Sequence, residues 1–350
     1  MEYLSLVSIM IATFNSERLL PRTLDAIKKQ TYPKELIEIL IVDGGSTDNT
    51  IEIAKQYGCK ILNNDKTEPV NAKLIGARNA IGKYLITLDH DEVMSDKRSI
   101  EKKVLAAQEH TTCKVFLPSG YLRPRDYPKL NQYISEFGDP FSLFIYKFSK
   151  DSKFFIKDIS KCGVLVDDTR DYSVFLFDDT KHDVILELYC LGTMIDREYF
   201  KQIPNIFESR AVYSHSFFEM LGRGEREVAI MKNDPIVHYS VDSIKAYLPK
   251  LKWRVKNNIH YSDMGDGGFD GRLKYQRGVN IRKYAFIPYT FFCVAPLLDG
   301  IYLAVTRKNT IYLLHIIFCW YVLIQIVFQY SLKIFKRTPQ KTSYDGKKKI

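Results

Sequence analysis

The sequence lacks any pattern of paired cysteines. Its six cysteines (Cys59, Cys113, Cys162, Cys190, Cys293, Cys319) stand apart, with no C-x-x-C pair and no metal-ligand spacing. That excludes a disulfide-stapled scaffold and a structural zinc site, and it fits ordinary buried thiols in a reducing compartment. No secretory leader is expected either, because MEYLSLVSIMIAT runs almost directly into a strand-like segment with no charged n-region or small-residue cleavage site. The amino-terminal part is therefore expected to stay in the cytoplasm. Acidic residues are scarce toward the carboxyl end. Residues 272–283 (RLKYQRGVNIRK) carry five positive groups and no acid, and residues 333–350 carry seven positive groups and one acid. The net charge of +10 is thus concentrated near the carboxyl end. A basic excess that flanks apolar segments, leaving the main domain slightly acidic, argues against nucleic acid and for an anionic membrane surface.

What is present is a globular composition, 46% hydrophobic and 26% charged over 350 residues, enough for one large domain and an accessory part. Apolar runs VSIMIA (7–12), IEILIVD (37–43) and YLITLD (84–89) read as buried strands. Between them lie helical patterns at about 17–30, 50–57 and 70–80, and a short strand at 59–62. Strands alternating with helices imply a parallel sheet of right-handed βαβ units, an α/β fold. The stretch from about 104 to 183 is expected to hold strands and loops, with β-like pieces KVFLPS, FSLFIYKF and YSVFLF. Order returns with LELYCLGTMI as a strand, helices near 197–202 and 216–222, and a strand ending in PIVHY.

The most informative stretch is LITLDHDE, residues 85–92. A buried strand ends in two carboxylates, Asp89 and Asp91, at i and i+2. On an extended backbone that spacing sends both to one side. The carboxyl ends of strands in open α/β sheets face the ligand crevice. Two close ionised carboxylates favour a hard divalent cation, and such a cation usually brings a diphosphate with it.

Near the carboxyl end, residues 284–305 form an apolar segment broken by Pro288, Pro296 and Asp299-Gly300. Residues 310–332 run for 23 positions without a charged group, long enough for a spanning helix. One crossing would put the basic tail outside, against the positive-inside rule, whereas two crossings joined at TRKNT return it to the cytoplasm. The expected organisation is a catalytic domain over 1–240, a basic interfacial segment over 241–283, a transmembrane hairpin over 284–332 and a basic cytoplasmic tail over 333–350. The protein would be multi-pass.

Four segments in order, VSIMIATFNSE, IEILIVDGGSTDNT, GARNAIGKYLITLDHDE and LGTMIDREYF, resemble the family 2 glycosyltransferases with the GT-A fold. The resemblance implies a nucleotide pocket lined by Thr13 and Glu17, with Asp43 accepting a hydrogen bond from the base. From its position Asp43 could equally cap the following turn, with Asp48 and Thr50 as other capping groups. Gly44 and Gly45 would let a ligand approach the backbone. Lys73 and Arg78 stand where relatives carry basic residues facing the diphosphate. Asp91 would bind Mn²⁺ or Mg²⁺, Asp89 would sit nearer the ribose or a metal-bound water, and His238 stands where relatives place a third metal ligand. The ion would neutralise the leaving nucleoside diphosphate. KLKWRVKNNIHY resembles the family's basic amphipathic helix, with Lys250, Lys252, Arg254 and Lys256 toward lipid headgroups.

The chain departs from the family at the catalytic base. Inverting relatives carry an acidic pair there, and this chain has YSHSFFEML, residues 213–221. His215, Glu219 and Glu208 are the candidate bases, and a lipid phosphate acceptor, already ionised, would need none. The resemblance thus implies metal-dependent, inverting transfer of a sugar from a nucleoside-diphosphate donor to a lipid-linked, polyprenyl-type acceptor in glycan assembly. A polyprenyl-phosphate sugar synthase and a degenerate nucleotide-binding membrane scaffold stand as alternatives. A processive synthase is disfavoured, because two apolar segments are too few for a channel and Q-x-x-R-W is absent.

Overall fold

The computed structural model describes residues 4–177, 192–208, 212–261 and 277–342. The chain forms two compact units. The first comprises residues 1–122 and 150–239, and the second comprises residues 123–149 and 240–350.

The first unit opens as the sequence pattern predicts. Strand β1 (Val7–Thr13) is buried along its whole length, as a central parallel strand covered on both faces must be. Helix α1 (Leu20–Lys28) follows and buries Leu20, Leu24 and Ile27. Then come β2 (Ile37–Asp43), α2 (Thr50–Gln56), β3 (Lys60–Asn63), α3 (Pro69–Asn79) and β4 (Tyr84–Asp89). Strands β1 to β4 pair in parallel in the order β3-β2-β1-β4. Helix α3 lies tight on β1. A Cβ placed on Gly76 would come within 2.2 Å of Met10 Cγ, so only glycine fits there.

Beyond β4 the chain turns into β5 (Glu92–Met94), then α4 (Ser99–Glu109), β6 (Val115–Leu117) and β7 (Tyr121–Leu122). It leaves for the second unit through α5 (Leu130–Phe137) and α6 (Pro140–Tyr146), and returns with α7 (Phe155–Ile159), β8 (Gly163–Asp168) and β9 (Tyr172–Phe177). The first unit ends with β10 (Met194–Asp196), α8 (Arg197–Lys201), α9 (Val212–Gly222), β11 (Glu227–Met231) and β12 (Ile236–His238). Among the described residues the large sheet has nine strands, β3-β2-β1-β4-β10-β6-β11-β9-β8, and is mixed beyond β4 because β10 lies antiparallel between β4 and β6. A small sheet, β5-β12-β7, stands apart from it. Within the predicted LELYCLGTMI strand, residues 186–191 lie outside the described residues. The FSLFIYKF segment is a helix and not a strand. The Asp139 side chain caps its start by accepting the Ser142 N–H at 2.7 Å, Pro140 opens it, and Lys147 ends it in the left-handed region at φ 47°.

The second unit is helical. Besides α5 and α6 it contains α10 (Ile244–His260), α11 (Arg277–Phe291), α12 (Val294–Thr306), a 3₁₀ turn at Thr310–Leu314, and α13 (His315–Ile334). Its core joins Tyr133 and Phe137 of α5, Tyr247 and Leu251 of α10, and Phe318 and Val322 of α13. Among the described residues, one stretch, Thr310–Ile334, is long and apolar enough to cross a membrane. Ile281–Phe291 and Val294–Thr306 pass the same test only as a pair, and they are bent by 88°.

Candidate active site

The strand order reverses between β1 and β4, and there the carboxyl ends of parallel strands open a crevice. Thr13 is in register with Asp43, and Ala12 is in register with Asp89. These three sequence-predicted residues therefore line one edge. Thr13 Oγ1 donates to Asp43 Oδ1 at 2.9 Å. Ser46 Oγ donates to the same oxygen at 2.5 Å, and the Gly45 and Ser46 N–H groups donate to Oδ2 at 2.9 and 2.7 Å. Asp43 is buried, and its carboxylate ties down the loop after β2, the capping role that its position allowed. Gly45 takes φ 85°, which permits that turn. Glu17 latches the neighbouring loop. Its Oε2 accepts from the N–H and the side-chain amide of Asn49 at 3.0 and 2.9 Å, at the amino end of α2.

Asp89 closes β4, but Asp91 does not continue the strand. His90 and Asp91 form the turn between β4 of the large sheet and β5 of the small one. The two carboxylates thus lie at a corner between sheets, which corrects the extended-backbone picture of the pair. Pairing of β5 with β12 sets Glu92 opposite His238. It brings His238 Nε2 to 3.8 Å from Asp91 Oδ2, and the Tyr239 N–H donates to the Asp91 carbonyl at 2.8 Å.

Sequence reasoning missed the support beneath this corner. Glu92 is fully buried and accepts the Asp89 N–H at 3.0 Å and the Tyr121 hydroxyl. Burial first, and the Asp89 charge second, push its carboxyl well above the usual carboxylate range. Tyr121 also stacks on His238, with ring centroids 4.4 Å apart. The Thr23 hydroxyl donates to the His90 carbonyl at 2.9 Å, and the Arg22 guanidinium lies 4.7 Å from the centre of the Tyr239 ring. The available signal was the glutamate that directly follows the D-x-D in LDHDE. A fully buried acid beside two half-buried ones needs a partner, and that partner is a tyrosine from a distant strand.

Lys73 and Arg78 part company. Lys73, in the middle of α3, bears on Tyr213 of α9. Burial raises that phenol to about 12, with the Thr87 hydrogen bond and the Lys73 charge acting the other way. Arg78 is in the last turn of α3, which runs back toward the amino ends of the strands. Its Nε donates to the Phe207 carbonyl at 2.8 Å. Arg78 is thus held at the Phe207 carbonyl and not at the carboxylate corner that the family resemblance implied for it. His215 and Glu219 lie one turn apart on α9, with Nε2 and Oε1 separated by 3.7 Å, and Arg223 stands 3.9 Å from Glu219. Nδ1 of His215 is buried, with no hydrogen-bond partner among the described residues. Glu208 is exposed in a 3₁₀ turn that follows α8.

Among the described residues, no three His, Cys, Asp or Glu side chains form a ready-made metal cage. The donor set still fits a hard divalent ion. Such ions commonly take one or two protein carboxylates and complete their shell with phosphate oxygens and water. Asp89 and Asp91 are oxygen donors of that kind, and His238 adds a nitrogen beside Asp91.

Known proteins bear on this geometry in three ways. A mannosyltransferase of Pyrobaculum calidifontis, solved with GDP-Man and Mn2+, superposes with a TM-score of 0.50 at 14% identity, covering 93% of this chain and 88% of that one. That likeness shows the fold, a mixed α/β sheet of the GT-A kind. Among curated proteins, the dolichyl N-acetyl-alpha-D-glucosaminyl phosphate 3-beta-D-2,3-diacetamido-2,3-dideoxy-beta-D-glucuronosyltransferase of Methanococcus voltae is 39% identical over 90 residues, 24% of this chain and 28% of its own length. The poly(ribitol-phosphate) beta-N-acetylglucosaminyltransferase TarS of Staphylococcus aureus is 27% identical over 109 residues, 29% of this chain and 19% of its own length. The chain thus spans well under a third of either curated relative. Residues 8–221, more than half of the chain, match the model of Glycosyl transferase family 2 from β1 through the D-x-D corner and into α9, and the protein is a glycosyltransferase of that family.

Proposed function

We propose that this glycosyltransferase moves a sugar from a nucleoside-diphosphate donor to a lipid-linked, polyprenyl-type acceptor, with inversion and with Mn²⁺ or Mg²⁺ bound, at the cytoplasmic face of a membrane during glycan assembly. The observation that carries the reading is the corner at the carboxyl edge of β4, where Asp91 meets His238 beside Asp89. Asp91, with Asp89 and His238, would hold the ion, which when bound supplies positive charge to the departing diphosphate. Thr13, Glu17 and Asp43 would shape the nucleoside end of the crevice, and Lys73 would lie toward the phosphates. Support for the donor and the metal comes from the GDP-Man and Mn2+ bound to the Pyrobaculum calidifontis protein. Support for the acceptor comes from the dolichyl phosphate in the name of the Methanococcus voltae relative and from the apolar helix Thr310–Ile334, which suits membrane attachment among anionic lipids.

For proton removal, His215 is the first candidate and Glu219 the second. Their Nε2 and Oε1 atoms stand 3.7 Å apart, an ion-pair distance from which the carboxylate would stabilise the imidazolium formed on proton removal. The lack of an acidic residue at the family's base position favours a second reading, a polyprenyl-phosphate sugar synthase whose acceptor arrives ionised. The test is donor binding by calorimetry on detergent-purified protein, with and without Mn²⁺, across UDP-glucose, UDP-galactose, UDP-N-acetylglucosamine, GDP-mannose and dTDP-rhamnose. Metal-dependent binding of one donor, lost in Asp91→Ala, supports the assignment. Binding of none would bring forward the scaffold reading. Product formed on bare polyprenyl phosphate would select the synthase.

A further inference from the structure

Among the described residues, the helical unit exposes a set of apolar side chains. Phe291, Phe292 and Leu298 stand at the bend between α11 and α12, and Ile317, Ile324 and Val327 line the outer side of α13. Cations border this surface, with Arg282 and Lys283 on α11, Lys308 after α12, and Lys333, Lys336 and Arg337 at the end of α13. An apolar face rimmed by positive charge matches an anionic lipid surface.

The manner of insertion follows from what holds the two ends of α13. At its start, Asn309 Nδ2 donates to the Lys129 carbonyl at 3.2 Å and to Gln132 Oε1 at 2.9 Å. Arg307 pairs with the buried Glu136 at 2.9 Å, and Tyr133 Oη lies 2.8 Å from His315 Nδ1. These partners belong to α5. Seven Cα–Cα steps separate Leu122, the end of β7, from Lys129, and the six residues between them include Arg123, Arg125 and Asp126. Fully extended, that link reaches about 25 Å, less than the roughly 30 Å of a bilayer's hydrocarbon core. The start of α13 therefore stays on the face of the membrane where β7 lies.

The far end of α13 is tied to α10. Tyr321 Oη donates to the Leu248 carbonyl at 3.2 Å, and Lys333 Nζ to the Ile259 carbonyl at 3.1 Å, so the two helices run side by side in the same direction. Past α13, Trp253 Nε1 donates to the Thr342 carbonyl at 2.8 Å, and Lys256 Nζ to the Gln340 carbonyl at 3.0 Å. Arg254 pairs with Asp139 at 2.7 Å and Lys256 is buried, so these two do not face headgroups as expected from the sequence. Carrying the end of α13 across a bilayer would still carry Lys250 and Lys252 with it, and hydrocarbon rejects such charges. The broken pair agrees with this. Its arms, Ile281–Phe291 and Val294–Thr306, are about 16 and 20 Å long, each too short to cross, and the 88° bend sets the second arm nearly perpendicular to the first, so the pair does not make one straight span.

We propose that the helical unit seats in one leaflet of an anionic bilayer. The α11–α12 bend enters as an apolar wedge, α13 lies in the interface, and both the Arg307–Asn309 turn and residues 333–342 remain on the side of the transferase unit. The inference rests on the membrane reading above and replaces two crossings with none. The polyprenyl chain of an acceptor, lying in the same leaflet, would meet this apolar face.

The protein's two tryptophans make the test direct. Trp320 sits in α13, ten residues from Thr310, about 15 Å along the helix, so a crossing helix would place it near the bilayer centre. Full-length Trp253→Phe protein would be reconstituted in phosphatidylglycerol–phosphatidylethanolamine vesicles whose acyl chains carry bromine either near the headgroup or near the terminal methyl. The seat predicts a larger loss of Trp320 emission with shallow bromine. A larger loss with deep bromine would overturn it and leave membrane attachment standing. Absence of quenching, with protein that fails to float with the vesicles, would overturn the membrane reading itself. A second measurement avoids altering Trp253. Lys308→Cys protein in sealed vesicles should react with an impermeant maleimide from the same side as protease-accessible transferase unit, and reaction from the opposite side would restore the crossing hairpin.

Discussion

Asp91 and His238 approach to 3.8 Å because β5 and β12 pair antiparallel with Glu92 opposite His238, so two residues far apart in the chain share one corner. Tyr121 fixes that corner from beneath, stacking on the imidazole and donating to Glu92.

If this pair holds the ion, Asp91→Ala should lower metal-dependent turnover by about 10²–10³-fold, as loss of a key electrostatic partner does. His238→Ala should raise the Mn²⁺ concentration needed for half-maximal rate by about 10–100-fold. A Mn²⁺ titration of turnover at fixed donor reads both. An unchanged Mn²⁺ requirement in His238→Ala would remove it from the ligand set.

Tyr121→Phe keeps the stack on His238 but takes a hydrogen bond from the fully buried Glu92. A stability loss of about 1–3 kcal/mol is expected. Tyr121→Ala should in addition raise the Mn²⁺ requirement, since His238 loses its platform. Denaturant unfolding paired with the same titration separates the two effects, and a Tyr121→Ala protein with wild-type Mn²⁺ dependence would rule out the positioning role.

Lys103 and Asp234, both fully buried, form an ion pair at 2.5 Å that joins α4 to the turn before β12, and Ser99 donates to the same carboxylate oxygen. Asp234→Ala would leave a buried ammonium uncompensated and should destabilise by about 3–5 kcal/mol. Lys103→Met combined with Asp234→Leu should be milder than Asp234→Ala alone. Urea unfolding decides, and equal losses would mean that the charges matter less than the packing around them.

His215→Ala should lower kcat by about 10²–10⁴-fold while leaving donor affinity unchanged, if the imidazole removes the acceptor proton. Glu219→Gln should have a smaller effect of the same kind. Full turnover in His215→Ala would shift the role to Glu219 or to an acceptor that arrives ionised, which product analysis on bare polyprenyl phosphate would identify.

Period and composition alone determined the parallel half of the sheet, the D-x-D at a strand's carboxyl end, and the apolar helix near the carboxyl end. Those features rest on local hydrophobic spacing, and β1, β2, β4 and the helices between them lie within a few residues of where that spacing puts them. Tertiary structure decided the rest, because each remaining feature depends on partners far apart in the chain. Only strand pairing sets His238 beside Asp91 and makes Asp91 part of a corner between sheets. Only packing shows that residues 123–149 leave one unit to become core of the other, where FSLFIYKF is helical despite its β-branched and aromatic look. Arg78 reads like a phosphate ligand in sequence, yet the direction of α3 carries it to the Phe207 carbonyl at the other end of the sheet. The 23 uncharged residues beginning at Thr310 have the composition of a crossing helix. The basic α10 bound along α13, and the short link to α5, argue for one leaflet instead. Composition records how apolar a segment is, whereas its neighbours decide which way it can go.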